Sequence, residues 1–210
     1  MNYTHIPIIF LIFLSTTTFA TVGGKQTLQF LGYDQAAQKL YLLRHYEDES
    51  GRLPQLYYYH LKTYTSKRSK IQPQLIEVKS LYINPKNQKI DNNQDDTHFF
   101  KELDKIQNRL QPLKAEKSAQ AQLSIQQQSL TGIPNPYNPE IQISKYTYHY
   151  RVVSHSYKSA LQQATSYKND LMIKQFFSIP KQKYKIATTQ YLAFPEETGY
   201  STEDPILLSE

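Results

Sequence analysis

The chain predicts an α+β fold, an antiparallel β-sheet with one main helix packed on it. Three observations carry that expectation. A meander over residues 27–83 holds short runs in which apolar and polar residues alternate, the period-2 signature of half-buried strands. Around residues 97–113, Phe99, Phe100, Leu103, Ile106, Leu110 and Leu113 recur largely at spacings of three and four, the stripe of an amphipathic helix. Further strands within 141–208 return to alternation. Strands grouped on either side of a helix, rather than alternating with helices, point to an antiparallel sheet.

Taken in order, residues 1–20 read as a signal peptide. Residues 6–14 are apolar except for Pro7, and Thr18 and Ala20 are small enough for the positions read by a signal peptidase, which places cleavage after Ala20. The apolar run is shorter than the roughly 20 residues a bilayer requires. The competing reading is a buried N-terminal strand. Residues 27–33, 40–46 and 55–61 then read as three strands, the last two joined by an acidic loop over 47–54 in which Gly51 supplies the φ > 0 residue of a turn. Residues 75–83 alternate around Ile76, Val78, Leu81 and Ile83 and read as a fourth strand.

Asp95, Asp96 and Thr97 offer an N-cap for the helix, and Pro112 should stop or kink it. Residues 115–129 are rich in Ala and Gln and read as a second, weakly anchored helix. Residues 132–139 carry three prolines and read as a linker. Residues 21–208 then form a single domain, or two subdomains (25–113 and 140–208) joined by the Gln/Ala-rich and Pro-rich segment 114–139. Residues 141–155 form a long strand with Tyr146, Tyr148, Tyr150 and Val152 on one face. Residues 156–168 fit either a short helix or a strand. Residues 171–179 and 184–194 are strands, 195–199 a turn, and 206–208 a short closing strand.

Composition narrows the function. There are no cysteines among 210 residues, which excludes disulfides, cysteine metal sites and thiol catalysis. A cysteine-free exported chain fits a bacterial periplasmic or secreted protein. The net charge of +6 favours anionic partners by a general field effect. Only 39% of residues are hydrophobic while 18 are Tyr. The core must therefore rely on tyrosine rings, which pair an apolar body with a polar tip.

No stretch carries a nucleophile elbow, a Gly-rich phosphate loop or an alternating acidic calcium loop. No cofactor and no metal ion is expected. His45 and His60 flank the acidic loop, and pairing symmetric about that loop would bring them together. Two histidines without a third ligand do not make a metal site. Lys181, Lys183 and Lys185 alternate and would share one strand face.

The binding residues expected from this pattern are Tyr57, Tyr58, Tyr59, His45, His60, Tyr146, Tyr148 and Tyr150, because tyrosine-rich sheet faces suit sugars and protein partners. The competing reading is that these rings pack beneath the helix. The function read from the sequence is an exported, non-enzymatic binding module. Its partner would be another envelope or secreted protein or an anionic glycan surface. Nucleic acid is not expected, and a membrane only through the signal peptide. The alternative is an envelope glycan or peptidoglycan hydrolase using turn acids such as Glu47, Glu196 or Glu197, which would have to converge across a cleft.

Overall fold

A computed structural model describes residues 24–47, 51–61, 65–66, 69–70, 73–84, 86–93, 96–136, 138–193 and 200–210. The signal peptide, its cleavage position and the 195–199 turn, with Glu196 and Glu197, lie outside the described residues.

The molecule is mainly antiparallel β-sheet with one α-helix. Strands β1 (Lys25–Asp34), β2 (Lys39–Glu47) and β3 (Gln55–His60) form the expected meander. Next come β4 (Thr65–Ser66) and β5 (Ser69–Lys70), a two-stranded ribbon of their own, and β6 (Leu75–Glu77), which pairs with β3 and completes a four-stranded sheet. The fourth strand is shorter than its alternation suggests. After Val78 donates to the Leu56 carbonyl at 2.9 Å, the chain turns through a 3-10 segment, Lys79–Tyr82. Leu81 and Tyr82 are consecutive and both buried in the same cluster. An extended strand would send them to opposite faces.

The helix α1 (Asp96–Gln107) buries Phe99 and Leu103 against the four-stranded sheet, with Ile106 and Leu110 packed at the margin. Full burial of such a side chain contributes about 1.5–3 kcal/mol. The helix ends earlier than Pro112 alone requires. Gln111, the residue before that proline, is biased toward extended backbone. It exchanges two 2.9 Å hydrogen bonds with Tyr33, which ties the helix exit to β1. Leu113 has crossed into a different cluster by then.

The second sheet corrects the reading of residues 114–139. They hold β7 (Lys114–Ala115), a 3-10 turn at Ser118–Gln120 and β8 (Gln122–Pro134), which pairs with β9 (Gln142–Ser154) along its whole length. Among the described residues of this segment there is no α-helix, and residues 122–134 are strand rather than helix or linker. Intrinsic helix preference of Ala and Gln is a weak prior, and twelve residues of pairing with a neighbouring strand override it.

β10 (Tyr157–Ser159) and β11 (Gln162–Ser166) resolve the ambiguous segment as two strands on the other edge of β9. β12 (Met172–Ser178), β13 (Tyr184–Leu192) and β14 (Ser201–Ser209) follow, with β14 joining β13 to β10. β14 is nine residues long and central, where only a three-residue closing strand was expected. Its acids, Glu203 and Asp204, mask the alternation that would have marked it.

Strands β12 to β14 are buried on both faces, and adjacent residues alternate between two cores. Phe176, Ala187, Ile206 and Leu208 face β9 and β11. Phe177, Ile186 and Leu207 face the first sheet, where Leu28, Tyr33, Leu40, Leu42 and Tyr59 meet them. The layers thus run α1, first sheet, β12–β14, then β9 and β11, where the second sheet curls back over itself. No helix among the described residues is long and apolar enough to cross a membrane.

Candidate functional site

The structure separates the expected site residues. In the β2–β3 ladder His60 faces Lys39, and Arg44 already faces Gln55, so His45 lies beyond that ladder and pairs with Thr27 of β1 instead. The two histidines stand at opposite ends of the hairpin, six residues apart along the strand or roughly 20 Å. The loop is not centred where symmetric pairing would require. His45 hydrogen-bonds Gln29 at 3.0 Å, and burial holds its imidazole below the ordinary range against the opposing pull of Glu47.

Tyr57, Tyr58 and Tyr59 do alternate, but the rings pack. Tyr59 is buried between the sheets and its hydroxyl donates to the Pro205 carbonyl at 3.0 Å. Tyr57 lines the same core, with its hydroxyl on Gln55 at 2.8 Å. Tyr58 lies on the helix side beside Tyr41, with the Lys39 ammonium 4.1 Å from its ring centre.

The row on β9 behaves differently along its length. Tyr150 and Tyr148 are each 1% exposed. Tyr150 exchanges a 2.9 Å hydrogen bond with Thr189 in the core of the second sheet. Tyr148 donates to Asn169 at 2.8 Å, and burial followed by the nearby Asp170 charge keeps its phenol protonated for that role. Tyr146 is half-buried, stacked on Tyr148 with ring centres 6.3 Å apart and planes 15° apart. Among the eight expected residues, Tyr146 lines a cavity.

That cavity is a groove of about 440 Å³ at the open end of the curled second sheet. One wall is the start of β9: Ile141, Gln142, Ile143, Ser144 and Tyr146. The other is the β11–β12 loop: Tyr167, Lys168 and Asn169. The volume falls in the usual range for small-ligand sites. The loop is held by part-buried polar contacts. Asp170 accepts from the Ser166 hydroxyl at 2.8 Å and from the Leu192 amide at 3.3 Å, and Tyr167 donates its backbone N–H to the Leu192 carbonyl at 2.9 Å. Gln128 on β8 reaches Asn169 at 3.3 Å. The groove thus offers aromatic surface, two side-chain amides, a hydroxyl and an ammonium, and no carboxylate lines it.

Tyr167 and Asn169 escaped the sequence reading. Their only local signal is a polar run at 167–170 in a segment of undecided structure, and nothing in the sequence says that this loop lies across from the start of β9.

The lysine face is also corrected. Lys181 has φ +57° in a turn, Lys183 pairs loosely with Glu210, and only Lys185 is on a strand, bound to Glu116 at 2.7 Å. Among the acids, Glu203 pairs with Lys174, Asp204 with Arg44 and Tyr191, and Glu47 with Lys25. Among the described residues no group of three or more His, Cys, Asp or Glu could hold a metal ion. The chain matches no family model, no curated protein and no solved structure.

Proposed function

We propose that the protein is an exported, non-enzymatic binding module of the bacterial envelope, and that it takes an anionic glycan into the groove between β9 and the β11–β12 loop. The observation that carries this reading is the lining itself. Tyr146 and Tyr167 supply flat apolar surface for a sugar ring, Gln142, Ser144 and Asn169 supply donors and acceptors for hydroxyls, and Lys168 supplies the positive charge. A groove without carboxylates, in a chain of net charge +6, favours an acidic sugar over a basic one. The tyrosine surface read from the sequence is narrowed to this end of it, because the remaining expected tyrosines are taken up by packing.

Titration of the purified protein with soluble acidic and neutral oligosaccharides, followed by NMR or calorimetry, tests the reading. Acidic sugars should bind and perturb Tyr167 and Asn169. Lys168→Glu should weaken that binding at least about tenfold, the effect of 1.4 kcal/mol. Absence of binding by any acidic sugar, or binding indifferent to Lys168→Glu and Tyr146→Ala together, would sink it.

A further inference from the structure

We infer that β8 is a dimerisation edge, on which a second copy of this chain adds its own β8 antiparallel about a two-fold axis at Leu130. Three observations lead there.

First, β8 is a long free edge. It pairs with β9 on one side, and no described strand pairs with the other. Alternate backbone N–H and C=O groups along that side are therefore left to water or to another strand. The other sheet margins are short or lie against the second sheet: β11 has five residues, and β1, ten residues long, runs beside β14. β6 and β7 have three and two residues. On β1 the outward N–H of Leu28 is already capped by Glu203.

Second, the middle of β8 carries none of the charges or prolines that normally protect an edge. Its sequence, QLSIQQQSLTGIP, contains no charged residue in thirteen, and its only proline is the last residue. The chain as a whole is 20% charged. Edges are usually blunted by lysine, proline or a bulge. The one bulge, between Ile125 and Gln127, falls at the start of the exposed run 125–132 and leaves residues 127–134 regular. Leu130 is 60% exposed in the middle of it.

Third, that regular stretch is self-complementary. A two-fold axis perpendicular to the sheet at Leu130 sets Leu130 against its own copy, Ser129 against Thr131 and Gln128 against Gly132. Every opposed pair then lies on the same face, as an antiparallel ladder requires. At the centre apolar meets apolar and hydroxyl meets hydroxyl, Gln127 meets Ile133 at the margin, and no like charges are opposed, although each copy carries a net charge of +6. Each copy has one such edge, so the contact closes as a dimer and does not propagate. Leu130 faces Tyr146 across the β8–β9 ladder, so both grooves open on the same face of the joined sheet.

The test is the mass of the purified protein in solution, by sedimentation equilibrium over a concentration series, for the natural chain and two double variants. The natural chain should reach twice the mass of a single chain. Ser129→Glu with Thr131→Glu opposes like charges across the two-fold and should give a folded monomer, since position 131 faces Lys145 on β9 and an acid is tolerated there. Ser129→Lys with Thr131→Glu opposes unlike charges in the same register and should restore the dimer. A natural chain that stays monomeric overturns the inference. So does a dimer that survives the two glutamates, or one lost equally in both variants. Circular dichroism matching the natural chain establishes that each variant has folded.

Discussion

The carboxylate of Glu203 accepts a hydrogen bond from the backbone N–H of Leu28 at 3.2 Å, across 175 positions of sequence. It fastens the outer edge of the first sheet to the centre of the second, and its other oxygen takes the Lys174 ammonium. The Glu203 side chain is 1% exposed and that of Lys174 35%. Removing the acid strands a buried amide and a half-buried cation. Glu203→Ala should therefore cost about 2–4 kcal/mol in urea unfolding. Lys25 and Glu47 form an exposed pair, and Glu47→Ala should cost under about 1 kcal/mol. Equal costs for the two acids would refute this account of how the sheets are joined.

Gly32 is the second place where the fold depends on one residue. Its φ is +140°, and a Cβ there would lie 2.6 Å from the Gln111 carbonyl oxygen. The position coincides with the register shift between Phe30 and Gly32 that lets Tyr33 pair with Gln111. Gly32→Ala meets both backbone strain and a clash with main chain, and should destabilise by about 2–4 kcal/mol. Gly51 also has positive φ but nothing within 4 Å, so Gly51→Ala should cost only about 1 kcal/mol. The two melting curves, run side by side, decide whether close approach or φ alone governs.

The contrast between these glycines shows what the sequence could carry. Turn chemistry at Gly51, the meander and the Phe99–Leu103 stripe are local, so residue pattern suffices to find them. The role of Gly32 depends on Gln111, which no pattern links to it. The same limit explains β8. Its alternation is hidden by glutamines on an exposed strand, and only the ladder to β9 makes it extended. It explains the site as well. Tyr146, Tyr148 and Tyr150 share one face, as their spacing implies, but which of them stays accessible depends on the side chains of β12, β13 and β14 packed against that face, which no local pattern gives.

The tyrosine core carries a pH dependence of known sign. Burial, acting most strongly in each case, raises the phenol pKa of Tyr46 and Tyr150 from 10.0 to about 12, and raises those of Tyr59, Tyr82 and Tyr191 as well, with the Asp204 charge adding to Tyr191. A folded state that holds protons more tightly than the unfolded chain loses stability as pH rises. Tyr46 and Tyr150 stabilise fully below pH 10 and lose that contribution between 10 and about 12, while Tyr59, Tyr82 and Tyr191 lose theirs at higher pH still. Phenolate absorbance from these five rings should therefore be absent at pH 10 and appear only at higher pH, together with unfolding. A single smooth titration centred at 10 in a protein still folded would contradict the burial of these rings.

Within the β9 row, core and ligand roles can be separated by substitution. Tyr150→Phe deletes a hydroxyl that partners Thr189 in a closed core. It should cost about 1–2 kcal/mol of stability and leave acidic-sugar binding at 25 °C unchanged, because Tyr150 does not line the groove. Tyr146→Ala removes a half-buried ring from the groove wall. It should abolish sugar binding while costing less stability than truncation of the fully buried Tyr150. Tyr148→Phe falls between them: it keeps the ring under Tyr146 but leaves Asn169, whose loop forms the opposite wall, with its Gln128 contact and without the shorter tyrosine bond. Its effect on binding should exceed that of Tyr150→Phe at similar stability. If binding instead follows stability across all three variants, the row is core throughout and the groove carries no specific recognition.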